Sequence, residues 1–195
     1  LVQRVKGGEI GKPDFAVYVE PTNLNIYTAQ IGFFIADITI IGKSAYFGTP
    51  ELGVDALKAT HEVLSKIWAH EAELAAGPNH ELVGGSSILV TDVEGGGFIA
   101  VPGECKLSLI RKLRPGEDLD EAVASFETAV HAAKVAKGIS IAISYPAGRD
   151  HPKGGSPVEI ERDAQPVLLL QQCVQEFQQD AGNTGGAPYW SEMPF

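Results

Sequence analysis

Gln30-Ile31-Gly32-Phe33-Phe34-Ile35-Ala36-Asp37-Ile38-Thr39-Ile40-Ile41 is the stretch whose reading decides the fold. Phe34, Ala36, Ile38 and Ile40 fall on one side of an extended chain. Ile31, Phe33, Asp37 and Thr39 fall on the other. Side chains of a strand alternate between its faces, so residues 30–41 read as one long strand with a firmly apolar side. Such a strand needs partners and a helical layer to cover it.

The sequence downstream supplies both. Residues 42–48 read as a loop. Thr49-Pro50-Glu51 has the makings of a helix start: a capping hydroxyl, a proline in the first turn and an acid against the helix dipole. Val54, Leu57, His61, Leu64, Trp68 and Ala75 then recur at helical spacing, and Gly77-Pro78 ends the helix near Ala76. Residues 86–92 read as a strand with Ile88 and Val90 inward. Glu94-Gly95-Gly96-Gly97 is a turn. Residues 104–112 alternate cleanly, with Cys105, Leu107 and Leu109 on one face. Asp118 with Glu121 reads as a capping box. Leu119, Val123, Phe126, Val130 and Ala133 stripe a second helix that ends near Lys137-Gly138. Ile139, Ile141, Ile143 and Tyr145 make a fourth strand. Strand, helix, strand, strand, helix, strand is the ferredoxin-like, split βαβ order. It predicts an α+β fold with a four-stranded antiparallel sheet and two helices on one face.

Outside residues 30–146 the character changes. Phe15 to Val19 is a solid apolar run, expected to be a buried parallel strand whose end delivers Glu20 to a sheet edge. Residues 148–157 carry the glycines and prolines of a linker. Residues 163–180 suggest a helix striped by Val167, Leu170, Val174 and Phe177. A first residue other than methionine and an apolar, aromatic tail suggest a chain cut from something longer. The division expected is a flank at 1–27, a central domain at 28–147, and a linker, helix and tail at 148–195.

The chain of 195 residues carries a net charge of −10, which repels phosphate backbones and argues against nucleic acid as a partner. Its longest apolar stretch, residues 31–41, is broken by Asp37 and is too short to span a bilayer. Two cysteines far apart, Cys105 and Cys173, suggest reduced, buried thiols in a cytoplasmic protein. His61 and His70 cannot share one metal from their places on one helix, and His151 sits in a linker. No serine lies in a nucleophile-elbow context, and no Lys-Ser or Lys-Thr follows the triple glycine as a phosphate loop requires.

Three segments carry a family resemblance. They are Val19-Glu20-Pro21-Thr22, then Gly42 to Pro50 followed by Gly53-Val54-Asp55-Ala56, and Gly95 to Pro102 followed by residues 111–117. In this order they resemble the zinc metallopeptidase and deacetylase family of acetylornithine deacetylase, succinyl-diaminopimelate desuccinylase, carboxypeptidase G and aminoacylase. The resemblance covers nearly the whole chain. It implies a dimerisation (lid) domain flanked by pieces of an α/β catalytic domain. It also implies a homodimer formed through that lid, by an edge strand and the first helix. The intact parent would hold two zinc ions and cleave an amide bond of an N-acyl amino acid or peptide.

By the same resemblance Glu20 takes a metal-ligand position. Most other ligands would lie outside the chain, so the fragment alone is expected to bind no zinc and to be catalytically incomplete. Tyr46 stands where the family has a His that reaches across the dimer to an oxyanion. Lys112, beside Arg111, stands where an Arg grips a substrate carboxylate, and lysine lacks that planar fork. Asp55 replaces an Asn, and Ile99 replaces a substrate-facing Asn. These departures keep open a second reading: a non-catalytic dimerisation module whose parent has lost hydrolase activity.

Overall fold

The computed structural model describes residues 2–195. A five-residue helix α1 (Val2–Lys6) comes first. Then follow β1 (Ile26–Gln30), β2 (Gly32–Ile41), β3 (Ala45–Tyr46) and helix α2 (Ala56–Ala75). The central part continues with β4 (Ser87–Gly95), β5 (Ala100–Val101), β6 (Glu104–Leu113), α3 (Leu119–His131) and β7 (Ser140–Ser144). β8 (Gly154–Gly155), β9 (Val158–Glu159), α4 (Gln165–Phe177) and β10 (Thr184–Ala187) complete the chain.

The main sheet runs in the order β4-β6-β2-β7, every neighbouring pair antiparallel. With α2 after β2 and α3 after β6, this is the ferredoxin-like arrangement that the pattern predicts. Phe34, Ala36, Ile38 and Ile40 are all fully buried under the helices. Cys105, Leu107, Leu109 and Leu113 of β6 join them, and the inner stripe of α3 (Leu119, Val123, Phe126, Val130) closes the layer. Phe34 sits at the centre, its ring 5.5 Å from Phe126 and 5.7 Å from Tyr145. Burial of such side chains contributes about 1.5–3 kcal/mol each, and it sets the strand register.

A second, smaller sheet in the order β10-β1-β9 lies outside this unit, with β1 parallel to β10. Gln30 ties it to the C-terminal stretch: its side-chain amide donates to the Ser191 carbonyl at 3.1 Å, and Ser191 Oγ donates back at 2.6 Å. Two-residue β8 joins the main sheet beside Phe33 and Phe34. Only glycine fits there, because a Cβ on Gly154 would lie 2.1 Å from the Phe33 carbonyl oxygen.

Several local readings change. Residues 30–41 are not one strand: the chain breaks at Ile31, and β1 before it belongs to the smaller sheet. Residues 15–19 form no regular element and join no ladder, and all of residues 11–20 are exposed. An apolar run needs a neighbouring strand to become a buried one, and none of the described residues supplies it. Thr49 caps nothing with its side chain. Pro50–Leu52 is a single 3-10 turn, and α2 starts later, at Ala56. The face of α2 that enters the core is Ala56, Ala59, Thr60, Val63, Ile67 and His70. The stripe that spacing picked from sequence lies to one side of that face: Leu64 still packs against the core, while Leu57 and Trp68 are half exposed. α3 ends at His131, short of Lys137-Gly138. Both cysteines are free, but Cys173 is exposed rather than buried.

Candidate functional site

Three places on the molecule carry the residues singled out from sequence. The first is the tip of the central unit. β3 pairs with β5 in a short antiparallel ladder, Ala45 opposite Val101 and Tyr46 opposite Ala100. Phe47 N donates to the Ile99 carbonyl at 3.2 Å, and Thr49 N to that of Tyr46 at 2.9 Å. Lys43 and Val54 exchange a reciprocal backbone pair, each at 2.8 Å. The β2–α2 loop is thus held by its own backbone bonds, and it presents its side chains from a fixed frame. The Tyr46 and Phe47 rings touch at a tilt of 52°, their centroids 4.6 Å apart. Tyr46 is 58% exposed, Phe47 62%, Ile99 53% and Phe98 101%. Sequence reading singled out Tyr46 and Ile99 here; it missed Phe47 and Phe98. Two adjacent large apolar residues in each of two glycine-flanked loops were the available signal.

Asp55 lies at the foot of the same loop. Its Oδ1 accepts from Leu57 N at 2.9 Å and Lys58 N at 3.1 Å, which makes it the N-cap of α2. That use of the carboxylate faces a helix end rather than a substrate.

The second place is the far end of β6. Strand parity points Arg111 inward with Leu109 and Leu113, where it is 2% exposed. Its Nη2 donates to Glu117 Oε1 at 2.8 Å, and its Nη1 donates to the Lys112 carbonyl. Glu117 also accepts from Ser86 Oγ and from Arg114 N. Burial by itself pushes the Glu117 carboxyl up. The hydrogen bonds from Ser86, Arg111 and Arg114, with the Arg111 charge, outweigh it and hold the group below its ordinary value. Lys112 points to the opposite face, where its Nζ donates to the Val83 carbonyl at 2.6 Å. The neighbouring side chains therefore do different things: Arg111 is committed to an internal ion pair, and Lys112 pins the loop between α2 and β4.

Glu20 is the third. It lies exposed beside a groove lined by Phe15, Val17, Tyr27, Val174 and Tyr189. Burial lifts the ionisation of the Tyr189 hydroxyl, and the charges of Glu20 and Tyr27 add to this. Among the described residues no three His, Cys, Asp or Glu side chains gather to hold a metal ion. Glu20 is thus a lone carboxylate here, and the residues of this chain do not by themselves fit a zinc centre. The structure does not bring Glu20, Tyr46 and Lys112 together into one cluster.

One flank of the central unit is open. α2 packs over β4, the edge strand of the main sheet. Leu57 and Trp68 of α2 are exposed, and so are Leu89 and Val93 of β4; Val93, opposite Leu107, is on the helix-covered face of the sheet, and Leu89, opposite Ile110, is on the other. Among the described residues, no helix is long and apolar enough to cross a membrane.

Known proteins place this architecture. A stretch of 53 residues, 27% of the chain, is 42% identical to acetylornithine deacetylase of Vibrio cholerae and covers 14% of that protein. A stretch of 56 residues is 38% identical to the acetylornithine deacetylase of Proteus mirabilis, again 14% of its length. Among solved structures, a tripeptidase from Staphylococcus aureus superposes with a TM-score of 0.57 at 16% identity, over 85% of this chain and 40% of that one. Aminopeptidase PepT from Bacillus cereus does so with a TM-score of 0.59 at 15% identity, over 86% and 41%. At these identities the superpositions show the fold alone, and the chain spans well under half of the proteins it matches. The family model that matches is that of the peptidase dimerisation domain, over residues 28–137. Because this match takes in more than half of the chain, the chain belongs to the peptidase dimerisation domain family, M20.

Proposed function

We propose that this chain is the dimerisation and substrate-lid part of a zinc-dependent amidohydrolase acting on N-acyl amino acids or peptides. In this reading residues 28–147 are the lid. Residues 1–27 and 148–195 are flanks of a catalytic domain, and the polypeptide works in the cytoplasm. The observation that carries it is the open flank of the central unit: an apolar stripe on α2 beside an unpaired strand edge, within a family of dimerisation domains. Exposed apolar stripes next to free strand edges are costly unless a partner covers them. A second copy related by a two-fold axis would cover both at once.

The zinc ligands other than Glu20 would come from elsewhere in the polypeptide; among the described residues no three His, Cys, Asp or Glu side chains gather around it. The metal would polarise the scissile carbonyl and activate water. The lid's own contribution would be to bring Tyr46 toward a substrate in the partner's catalytic domain, where its hydroxyl can donate a hydrogen bond, and to offer Lys112 to a carboxylate once it leaves Val83.

A second reading, a module that assembles without chemistry, draws on the same tip: neither Tyr46 nor Ile99 offers an imidazole or an amide. Assays of the full-length polypeptide containing this chain separate the two. The amidohydrolase reading expects turnover of N-acyl amino acids that disappears with a chelator and returns with zinc, and none from the 195-residue chain alone. A zinc-loaded full-length protein inert toward acylated amino acids and small peptides would favour the assembly module. Turnover by the isolated chain would contradict its incompleteness.

A further inference from the structure

The central unit and the flank built on the smaller sheet meet narrowly. The chain passes between them at Ile31, from β1 to β2, and at Ser156-Pro157, from β8 to β9. The two crossings lie side by side, since a Cβ on Gly32 would collide with Pro157. The loop before β8 stays with the central unit. It is strapped to α3 by His151 Nε2, 3.3 Å from Asp120, and by Lys153 Nζ, 3.5 Å from Glu127. Among the described residues, no broad packing joins a helix or strand of the central unit to one of the flank. Adjacent crossings without packed elements around them can act as a hinge.

One loop also spans the boundary. Residues 78–84, between α2 and β4, are held to the central unit by backbone bonds exchanged between His80 and Gly84, at 3.1 and 2.8 Å, and by Lys112. On the flank side, Arg162 grips the Glu81 carboxylate with both terminal nitrogens, at 3.1 and 2.7 Å. His80 Nε2 lies 3.1 Å from Glu159 Oε1 on β9. The loop also sits on β10, where a Cβ on Gly186 would come within 2.6 Å of the Leu82 carbonyl oxygen and the Val83 side chain. The hydrogen bond and charge of Arg162 hold the Glu81 carboxyl below its ordinary value, so the pair is ionised at neutral pH.

We propose that residues 78–84 are a charge clasp: Glu81 and His80, closed on Arg162 and Glu159, fix the central unit against the flank, and their release lets it turn about Ile31 and Ser156-Pro157. The proposal goes beyond the amidohydrolase reading and does not depend on it. Exposed ion pairs hold weakly and yield to salt, which suits a contact that opens and re-forms.

The test reads one distance within the chain. Cys173 on α4 is exposed and takes a spin label, whereas Cys105 is buried; Ser125→Cys puts the second label at an exposed position of α3. Dilution with unlabelled chain leaves the distance within one molecule dominant. Electron–electron resonance at low salt should give a single narrow distance. At about 1 M salt, where charges are screened beyond about 3 Å, that single peak should be lost. Glu81→Arg should lose it at low salt, and Glu81→Arg with Arg162→Glu should recover it. A wild-type distribution already broad at low salt would overturn the clasp. So would a single peak that either high salt or Glu81→Arg leaves unchanged, or one that Glu81→Arg loses and the paired variant does not recover.

Discussion

Arg111 is a long cation almost wholly inside the core, and the residues around it explain how it is tolerated. Glu117 supplies the counter-charge at 2.8 Å, while Ser86 and Arg114 N occupy the other oxygen of that carboxylate. Within this cluster the Arg111 Nε is left without a partner. Removing one member of such a buried pair strands the other charge. Glu117→Ala should therefore lower unfolding stability by about 3 kcal/mol, read from denaturant midpoints. Because Glu117 ionises below its ordinary value of 4.5 in the folded chain, its stabilisation is complete above that value. It drains away as pH falls through the lower folded-state value. Acid titration of the wild type should show this loss below about pH 4.5, and the variant should lack it. The resemblance made Arg111, beside Lys112, a candidate to grip a substrate carboxylate. The alternation of Cys105, Leu107, Leu109 and Arg111 already held the answer, since parity puts position 111 under the helices. Lys112, one residue on, is outward by the same parity.

At the scale of elements, α2 shows what spacing can and cannot decide. A helix was legible over residues 50–76, but its start was not. Thr49-Pro50-Glu51 has the composition of a start and does form a turn, of 3-10 type. The α-helix waits for Asp55, whose carboxylate accepts from two backbone N–H groups of the first turn. Asp55→Ala should cost about 1 kcal/mol, visible as a lower thermal midpoint with the dimensions of the molecule unchanged. An effect confined to substrate KM in the full-length protein, with the midpoint unmoved, would instead make Asp55 a substrate residue. The two apolar stripes of α2 explain the other error. The core face is built largely of small residues (Ala56, Ala59, Thr60, Val63), so the stripe of Leu57, Leu64 and Trp68 won on sequence although only Leu64 of it packs against the core. A helix with two apolar faces has two coverings, and sequence periodicity does not say which is intramolecular. Residues 15–19 failed for a related reason: an apolar run states a need for burial without naming the neighbour that satisfies it.

At the scale of the whole molecule, the ferredoxin-like order was readable because six elements in sequence left few topologies open. The candidate site was readable only in pieces. Tyr46 and Ile99 were marked by their neighbours in sequence, but the two-residue ladder that brings their loops together is too short to leave a pattern. The small sheet of β1, β9 and β10 was hidden because its strands come from distant parts of the chain. The open flank of α2 and β4 carries the central claim. Trp68 is the largest exposed side chain on it, at 51%. Aromatic anchors of this kind dominate interfaces, so Trp68→Ala should weaken self-association by about 2 kcal/mol, close to 30-fold in Kd. Sedimentation velocity of the chain over a wide concentration range is the most direct measurement. The account predicts a dimer of 20.7 kDa chains that Trp68→Ala shifts toward monomer. A wild-type chain that remains monomeric at the highest concentration would contradict it.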